Sequence, residues 1–387
     1  MTPAARLSAA MAVLDRVLSG APAEQALTNW GRGSRYAGSG DRHAVRDLVY
    51  DALRCRRSFA ALGRAETGRG LILGGLRAAG TDVEGLFTGE GHAPAPLTAA
   101  ESASADPLPE LVALDCPDWL APALRASLGA DFAAVMAALR HRAPVFLRVN
   151  AAHGSRNEAA MALAAEAIAT RPHPLAKSAL EVNGNARKIQ KSAAYLSGLV
   201  ELQDAASQAI VEALPLVEGQ RVLDYCAGGG GKTLAMGARA ALTLFAHDAD
   251  PGRMRDLPAR AARAGLRPQI LTAAEMAQQA PFDLVLADVP CSGSGSWRRA
   301  PEAKWALTFE RLAALCETQA RVLDQVAGLV APQGHLAYAT CSLLDAENAD
   351  QIAAFLARNP GWRQSSVLRL TPLDGGDGFF LSILTRI

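Results

Sequence analysis

The chain has 387 residues, half of them hydrophobic and a fifth charged, with a net charge of +1. That is the balance of a globular protein with room for two or three domains, and it excludes a global basic field of the kind that marks many nucleic-acid binders. No apolar run approaches the roughly 18 to 20 residues of a membrane helix, and no signal peptide is visible, so cytoplasmic residence is the expectation.

From Thr2 to about Phe87 the apolar positions keep a helical period. Leu7, Ala10, Met11, Leu14, Val17 and Leu18 share one face, and Val45, Leu48, Val49, Ala52, Phe59 and Leu62 repeat the pattern. This predicts an all-helical module over residues 1–90. "GHAPAPLTAAESASADPLPE", Gly91 to Glu110, has the Pro, Ala and Ser content of a linker, assigned to 91–107. A small α/β module is expected over 108–200, with helical periodicity from Trp119 to Leu139, a strand in "PVFLRVN" (Pro144–Asn150) and a helix near Arg156–Ala169. Arg187, Lys188 and Lys191 make its end locally basic, which suits either a solvated face or an RNA contact.

From Gln203 the rhythm becomes strand, loop, helix. Strands are predicted at Arg221–Tyr225, Leu242–His247, Pro268–Leu271, Phe282–Ala287 and His335–Thr340, with a helix over Phe309–Val330. Such alternation predicts an α/β, doubly wound, mostly parallel sheet over 201–387, which binds ligands at the carboxyl ends of its strands.

The loop after the first of these strands is "DYCAGGGGKT", Asp224 to Thr233. Its ending imitates a phosphate loop, but the residue five before Gly231 is Cys226, not glycine, and Thr233 stands where a dinucleotide fingerprint needs its third glycine. Glycines here let backbone approach a ligand closely. Asp248, about 20 residues past the loop, can accept hydrogen bonds from a ribose. The pair fits an adenosine-bearing cofactor: NAD, FAD or S-adenosylmethionine.

"DVPCSGSGSWRRAPEAKW" (Asp288–Trp305) and "YATCS" (Tyr338–Ser342) each set a cysteine just past a strand. Neighbouring strands lie about 5 Å apart, so Cys291 and Cys341 would converge with Asp288 at the cofactor end. No Cys-x-x-Cys pair occurs among the six cysteines, so neither a zinc site nor a disulfide framework is expected. Cys55 and Cys316 read as core residues, while Cys116 has no assignment. A thiolate beside a methyl donor suits one reaction in particular. Its addition to C6 of a pyrimidine makes C5 nucleophilic, and an acid near N3, a role for the Asp288 carboxyl, stabilises the adduct.

These motifs, with "LVELQDAASQ" (Leu199–Gln208), "ENADQI" and "GDGFF" (Gly376–Phe380), resemble in order the Sun/Nop-type, RsmB-like RNA cytosine-5 methyltransferase family. The resemblance implies Cys341 as nucleophile, Cys291 in product release, and Asp288 and Lys232 between cofactor and cytosine. It implies an S-adenosylmethionine site of Cys226, Ala227, Gly228, Gly229, Gly230, Gly231, Lys232, Asp248, Arg253 and Asp288. It also implies a NusB-like RNA-binding helical module, RNA (ribosomal by expectation) as partner, a monomer, and neither metal nor membrane. Two departures stand out: the family usually has Ala-Pro at Gly228 and Gly229, and "LTAAEM" lacks its adenine-side Asp, leaving Glu275 nearby. The alternatives are a transfer-RNA cytosine-5 methyltransferase, a non-catalytic NusB-like RNA-binding protein, a DNA cytosine-5 methyltransferase, which leaves the second cysteine unused, and an NAD-dependent dehydrogenase, which leaves both unused.

Overall fold

The computed structural model describes residues 1–103 and 107–387. The predicted linker at Gly91–Glu110 contains 104–106, which lie outside the described residues, and short helices flank them at Ala99–Ser102 and Glu110–Ala113. The chain forms two compact units: Met1–Arg142 with Trp297–Ala306, and Ala143–Ser296 with Leu307–Ile387.

In the first unit the predicted helical faces become helices Pro3–Leu18, Ala23–Gly33, Ser39–Arg54, Arg56–Leu62 and Gly68–Ala78. Leu7, Leu14, Val45, Val49, Leu71 and Leu73 meet in their core. Asp118–Leu139 has the length and apolar composition of a membrane span, but Gly129, at φ +55°, divides it into helices Ala121–Leu128 and Phe132–Leu139 within this unit. Cys116, which had no assignment, is fully buried here, and burial pushes its thiol up to about 11.

The segment Trp297–Ala306, directly downstream of the Cys291 loop, belongs to this helical unit. Lys304 is 1% exposed, and its Nζ donates to the Arg54 carbonyl at 3.0 Å. Burial holds its pKa down at about 8. Trp305 Nε1 donates to the Leu53 carbonyl at 2.6 Å, and the Ala23 amide donates to Glu302 at 2.8 Å. Every polar group named here is satisfied from the helical side, as burial requires.

The second unit holds two sheets. The smaller consists of β1 (Val145–Val149), β2 (Thr170–Pro172), β3 (Ala179–Val182) and β4 (Val200–Leu202) in the order β2-β3-β1-β4, all antiparallel. Helix Arg156–Ala165 links β1 to β2, and short helical turns link β3 to β4, which is the ferredoxin-like β-α-β-β-α-β arrangement.

The larger sheet contains β5 (Arg221–Asp224), β6 (Thr243–Ala246), β7 (Gln269–Ile270), β8 (Phe282–Asp288), β9 (Val330–Thr340), β10 (Trp362–Leu370) and β11 (Phe379–Arg386). Their order is β10-β11-β9-β8-β5-β6-β7, and β11 alone runs antiparallel to the others. The order reverses between β5 and β8, so the topological switch point lies over the glycine loop and Asp288. The predicted helix Phe309–Val330 ends at Ala327, because Val330 already pairs as the first residue of β9. Phe309, at the start of this helix, is 70% exposed.

A fragment beginning at Ala143 would strip the cover from Trp297–Ala306. Trypsin is expected to cut that fragment after Arg298 and Lys304, both buried in the intact chain, well before the intact chain is cut there. Peptide mapping by mass spectrometry reads the result, and equal protection in both would mean that the segment does not rely on the helical unit.

Candidate active site

The glycine loop leaves β5 at Asp224 and enters helix Gly231–Gly237. Gly230 sits at φ +77°, and a Cβ there would lie 2.2 Å from Leu257 Cδ1, so backbone conformation and packing both demand glycine. Asp248, two residues beyond β6, is 3% exposed. Its Oδ2 accepts from the Gly228 amide at 2.9 Å and lies 3.2 Å from Arg253 Nη1, while Oδ1 accepts from the Asp250 amide at 3.0 Å. The Ala227 amide donates to the His247 carbonyl at 2.9 Å. Asp248 and Arg253 are thus built into the loop they were expected to serve.

Around the loop the charge is negative. Burial raises the Cys226 thiol far above its ordinary range, reinforced by Asp224, Asp288 and Asp248, so it stays protonated. Asp224 is buried, with Thr233 Oγ1 donating to its Oδ2 at 2.7 Å, and its Oδ1 has no hydrogen-bond partner among the described residues. Burial lifts the Asp224 pKa to about 7.

The predicted strand neighbours are neighbours: β8 and β9 run parallel with Asp288 opposite Ala339. The loops beyond them bring Cys291 Sγ within 3.5 Å of Cys341 Sγ. The shared hydrogen bond lowers the pKa of Cys341 and, together with burial, raises that of Cys291 well above the usual thiol range. Either sulfur can donate in this hydrogen bond, and Cys341 is the member of the pair whose ionisation is eased. Ser296 Oγ, 4.0 Å from Cys341 Sγ, and the nearby Lys232 charge act in the same direction, against burial and Asp288. Lys232 Nζ donates to Asp288 Oδ2 at 2.6 Å and lies 4.8 Å from the centre of the Phe379 ring. Burial opposes the Lys232 charge, but Asp288 outweighs it and the net shift is upward.

Both thiol loops hang on one carboxylate. Glu347 is fully buried, and its Oε1 accepts from the Ser292 amide at 2.8 Å and from Gln319 Nε2 at 3.0 Å. Its Oε2 accepts from the hydroxyls of Ser292 and Ser342, the residues that follow the two cysteines. Gly295 donates to the Cys341 carbonyl and accepts from the Gly378 amide, each at 2.9 Å. A Cβ on Gly295 would come within 2.3 Å of the Gly378 carbonyl oxygen, and one on Gly378 within 2.8 Å of Gly295 Cα, which explains the second glycine of "GDGFF".

The fold thus brings Cys291, Cys341, Lys232 and Asp288 into one cluster, and Gly228, Asp248 and Arg253 into a second beside it. Glu275 does not join either: its Oε2 accepts from the Thr272 amide and hydroxyl, both at 2.8 Å, closing a capping box on helix Ala273–Gln279. The Glu347 network went unread in the sequence. Its signal was the "ENADQI" stretch behind "YATCS", which carried no assigned chemistry.

Residues 211–383 match the family model described as 16S rRNA methyltransferase RsmB/F, and residues 116–189 match that of the RsmF/B-like ferredoxin-like domain. The ribosomal RNA small subunit methyltransferase B of Vibrio cholerae is 33% identical over 283 residues, which span 70% of this chain and 65% of that relative. The protein of the same name from Xylella fastidiosa is 35% identical over 288 residues, spanning 70% of this chain and 67% of it. Among solved structures, that of PH0851 covers 100% of this chain and 99% of its own at a TM-score of 0.77 and 20% identity. A methyltransferase homologue from Pyrococcus horikoshii covers 72% and 98%, at a TM-score of 0.62 and 23% identity. These two likenesses establish a shared fold. With sequence identity and motif order pointing the same way, the chain belongs to the RsmB/F family of S-adenosylmethionine-dependent ribosomal RNA methyltransferases.

Proposed function

We propose that this protein methylates C5 of a cytosine in small-subunit ribosomal RNA, in the cytoplasm, through a covalent bond between Cys341 and C6. The observation that carries the reading is the 3.5 Å thiol pair at the carboxyl ends of β8 and β9, beside the Lys232–Asp288 pair and the glycine loop.

The residues present fit S-adenosylmethionine, whose sulfonium supplies an electrophilic methyl group. Asp224, with its unpartnered Oδ1, and Asp248 and Asp288 surround the loop with negative charge suited to a cationic ligand. The loop from Cys226 to Lys232, Asp248 and Arg253 would hold it. In the reaction, the Cys341 thiolate forms the S–C6 bond and electron density moves to C5. The Lys232–Asp288 pair supplies a hydrogen bond and a proton at N3. After C5 takes the methyl group, Cys291 in its thiolate form takes the C5 proton, the C5–C6 double bond re-forms as the S–C6 bond breaks and Cys341 leaves as thiolate, and N3 returns its proton to the Lys232–Asp288 pair. The exposed Arg187, Lys188 and Lys191 of the small sheet's module suit the RNA backbone.

Cys291→Ser is expected to attack and methylate, then stall as a protein–RNA adduct that survives denaturing electrophoresis. Cys341→Ser and the double variant should form none. An adduct from Cys341→Ser alone would reverse the roles, and the absence of any adduct would remove the covalent mechanism.

Asp224 gives the pH dependence. Below about 7 it is neutral, and above that it is a carboxylate able to attract a cation. S-adenosylmethionine affinity, measured by calorimetry, should therefore rise about tenfold from pH 6 to pH 8, and Asp224→Asn should flatten that rise. An unchanged slope in the variant would remove Asp224 from cofactor binding.

Glu347→Ala should lower stability by about 3 kcal/mol, since it leaves several buried donors without an acceptor. Glu347→Gln should fold better but slow adduct formation in the Cys291→Ser background. Wild-type adduct rates in a folded Glu347→Gln protein would mean that the carboxylate does not position the thiols.

A further inference from the structure

The glycine loop is the most permissive stretch of backbone in the candidate site, yet two of its carbonyls are held from behind by side chains tied to the small sheet. Arg148, on β1, is 4% exposed, and its Nη1 donates to the Gly231 carbonyl at 2.8 Å and to Gln203 Oε1 at 2.6 Å. Gln203 Nε2 donates to the same carbonyl at 3.2 Å. Arg260, on helix Leu257–Arg263, donates from Nη1 to the Gly229 carbonyl. Behind these arms stands Glu201 on β4, buried and paired in register with Arg148 across β1 and β4. Its carboxylate lies 3.6 Å from Arg260 Nη2 and 2.6 Å from Arg263 Nη2. Arg263 in turn stacks on the Tyr195 ring at 4.3 Å.

We infer that the ferredoxin-like sheet positions the cofactor loop, with Arg148 and Arg260 as arms on alternate loop carbonyls and Glu201 as the charge that holds the arginines in place. Residues Gly228–Gly231 form an unbroken glycine run, which loses more conformational entropy on ordering than any other four residues would. A ligand that binds only the ordered loop has its apparent affinity reduced by the fraction of the population in which the loop is displaced. Fixing the Gly229 and Gly231 carbonyls removes those states before the ligand arrives. Burial confines Arg148, while Arg260, with a side chain 23% exposed, is held by Glu201. Burial disfavours the Arg148 charge and lowers its pKa to about 10, while Glu201 opposes that shift. These are positioning residues, acting on the cofactor only through the loop, and the inference rests on the reading that the loop holds S-adenosylmethionine.

The test measures S-adenosylhomocysteine affinity by calorimetry, and methylation kinetics, for the full-length protein and for Arg148→Met, Arg148→Lys and Arg260→Met. The expectation is an affinity loss of about tenfold in both methionine variants, with KM for S-adenosylmethionine rising in step. At saturating cofactor, kcat should stay within about twofold, because the thiol loops are held separately by Glu347. Arg148→Lys should recover part of the affinity by keeping one donor. A merely structural arginine would lower the melting temperature without splitting KM from kcat. Wild-type cofactor affinity in either methionine variant that melts cooperatively would overturn the inference, as would a fall in kcat with KM unchanged. If the unaltered protein itself failed to bind S-adenosylhomocysteine, the reading of the loop would fall, not merely its brace.

Discussion

A single buried carboxylate fixes the distance between the two thiols. Cys291 and Cys341 stand 50 residues apart in the chain, and each lies in a loop beyond the end of its strand. The parallel pairing of β8 and β9 brings those loops together, but it leaves loop conformation open. Glu347 closes that freedom by accepting from the amide and hydroxyl after one cysteine and from the hydroxyl after the other. A charged acceptor suits the task, since hydrogen bonds to a carboxylate are about twice as strong as neutral ones. The cost of burying it is offset by the several donors it gathers. The thiol hydrogen bond, and the pKa split it causes, exist because those loops cannot drift.

Much of this was legible in the sequence because it depends on local pattern. Strand and helix periods gave the sheet class, and its carboxyl ends gave the site. The Pro-Cys-Ser-Gly and Thr-Cys-Ser motifs carried the thiol pair. What escaped depends on long-range partners. Glu347 looks like any helix-flanking glutamate until Ser292 is brought to it from 55 positions away. Arg148 reads as a break in an apolar strand, and only the fold shows that its alternate face meets the glycine loop. Strand β10 is mostly exposed and polar, and β11, a plain apolar run behind Gly375–Gly378, went unread. Segment Trp297–Ala306 was the most misleading stretch. Its motif belongs to the thiol loop in sequence, yet Trp297, Arg298 and Lys304 are buried in the helical unit.

The family's usual Ala-Pro would stiffen the loop through its own backbone, since proline fixes φ and alanine narrows the choice. Here Gly228 and Gly229 do neither. Stiffness has to come from outside, through side chains that reach the carbonyls, and such contacts can be removed one at a time. The Asp248 carboxylate supplies one more, from the opposite side, by taking the Gly228 amide. Loop order is then a property of three neighbouring elements: β1, the helix bearing Arg260, and the turn after β6.

Charge placement links these structural devices to the proposed chemistry. A sulfonium loses its positive charge when it gives up a methyl group, so carboxylates around it favour binding of the charged donor over the neutral product. Asp224, Asp248 and Asp288 form such a surround, and all three act on the same thiol, Cys226. A nucleophilic thiolate needs the opposite field. Negative charge from Asp288 opposes the Cys341 thiolate, and Lys232 counters it from the other end of a 2.6 Å pair. Lys232 therefore stands at the boundary between the two fields. It neutralises Asp288 where the thiolate would feel it most, while the remaining carboxylates keep the loop negative. Losing the Lys232 charge would damage both halves at once, because the half-buried Asp288 would then repel the thiolate with its charge uncompensated.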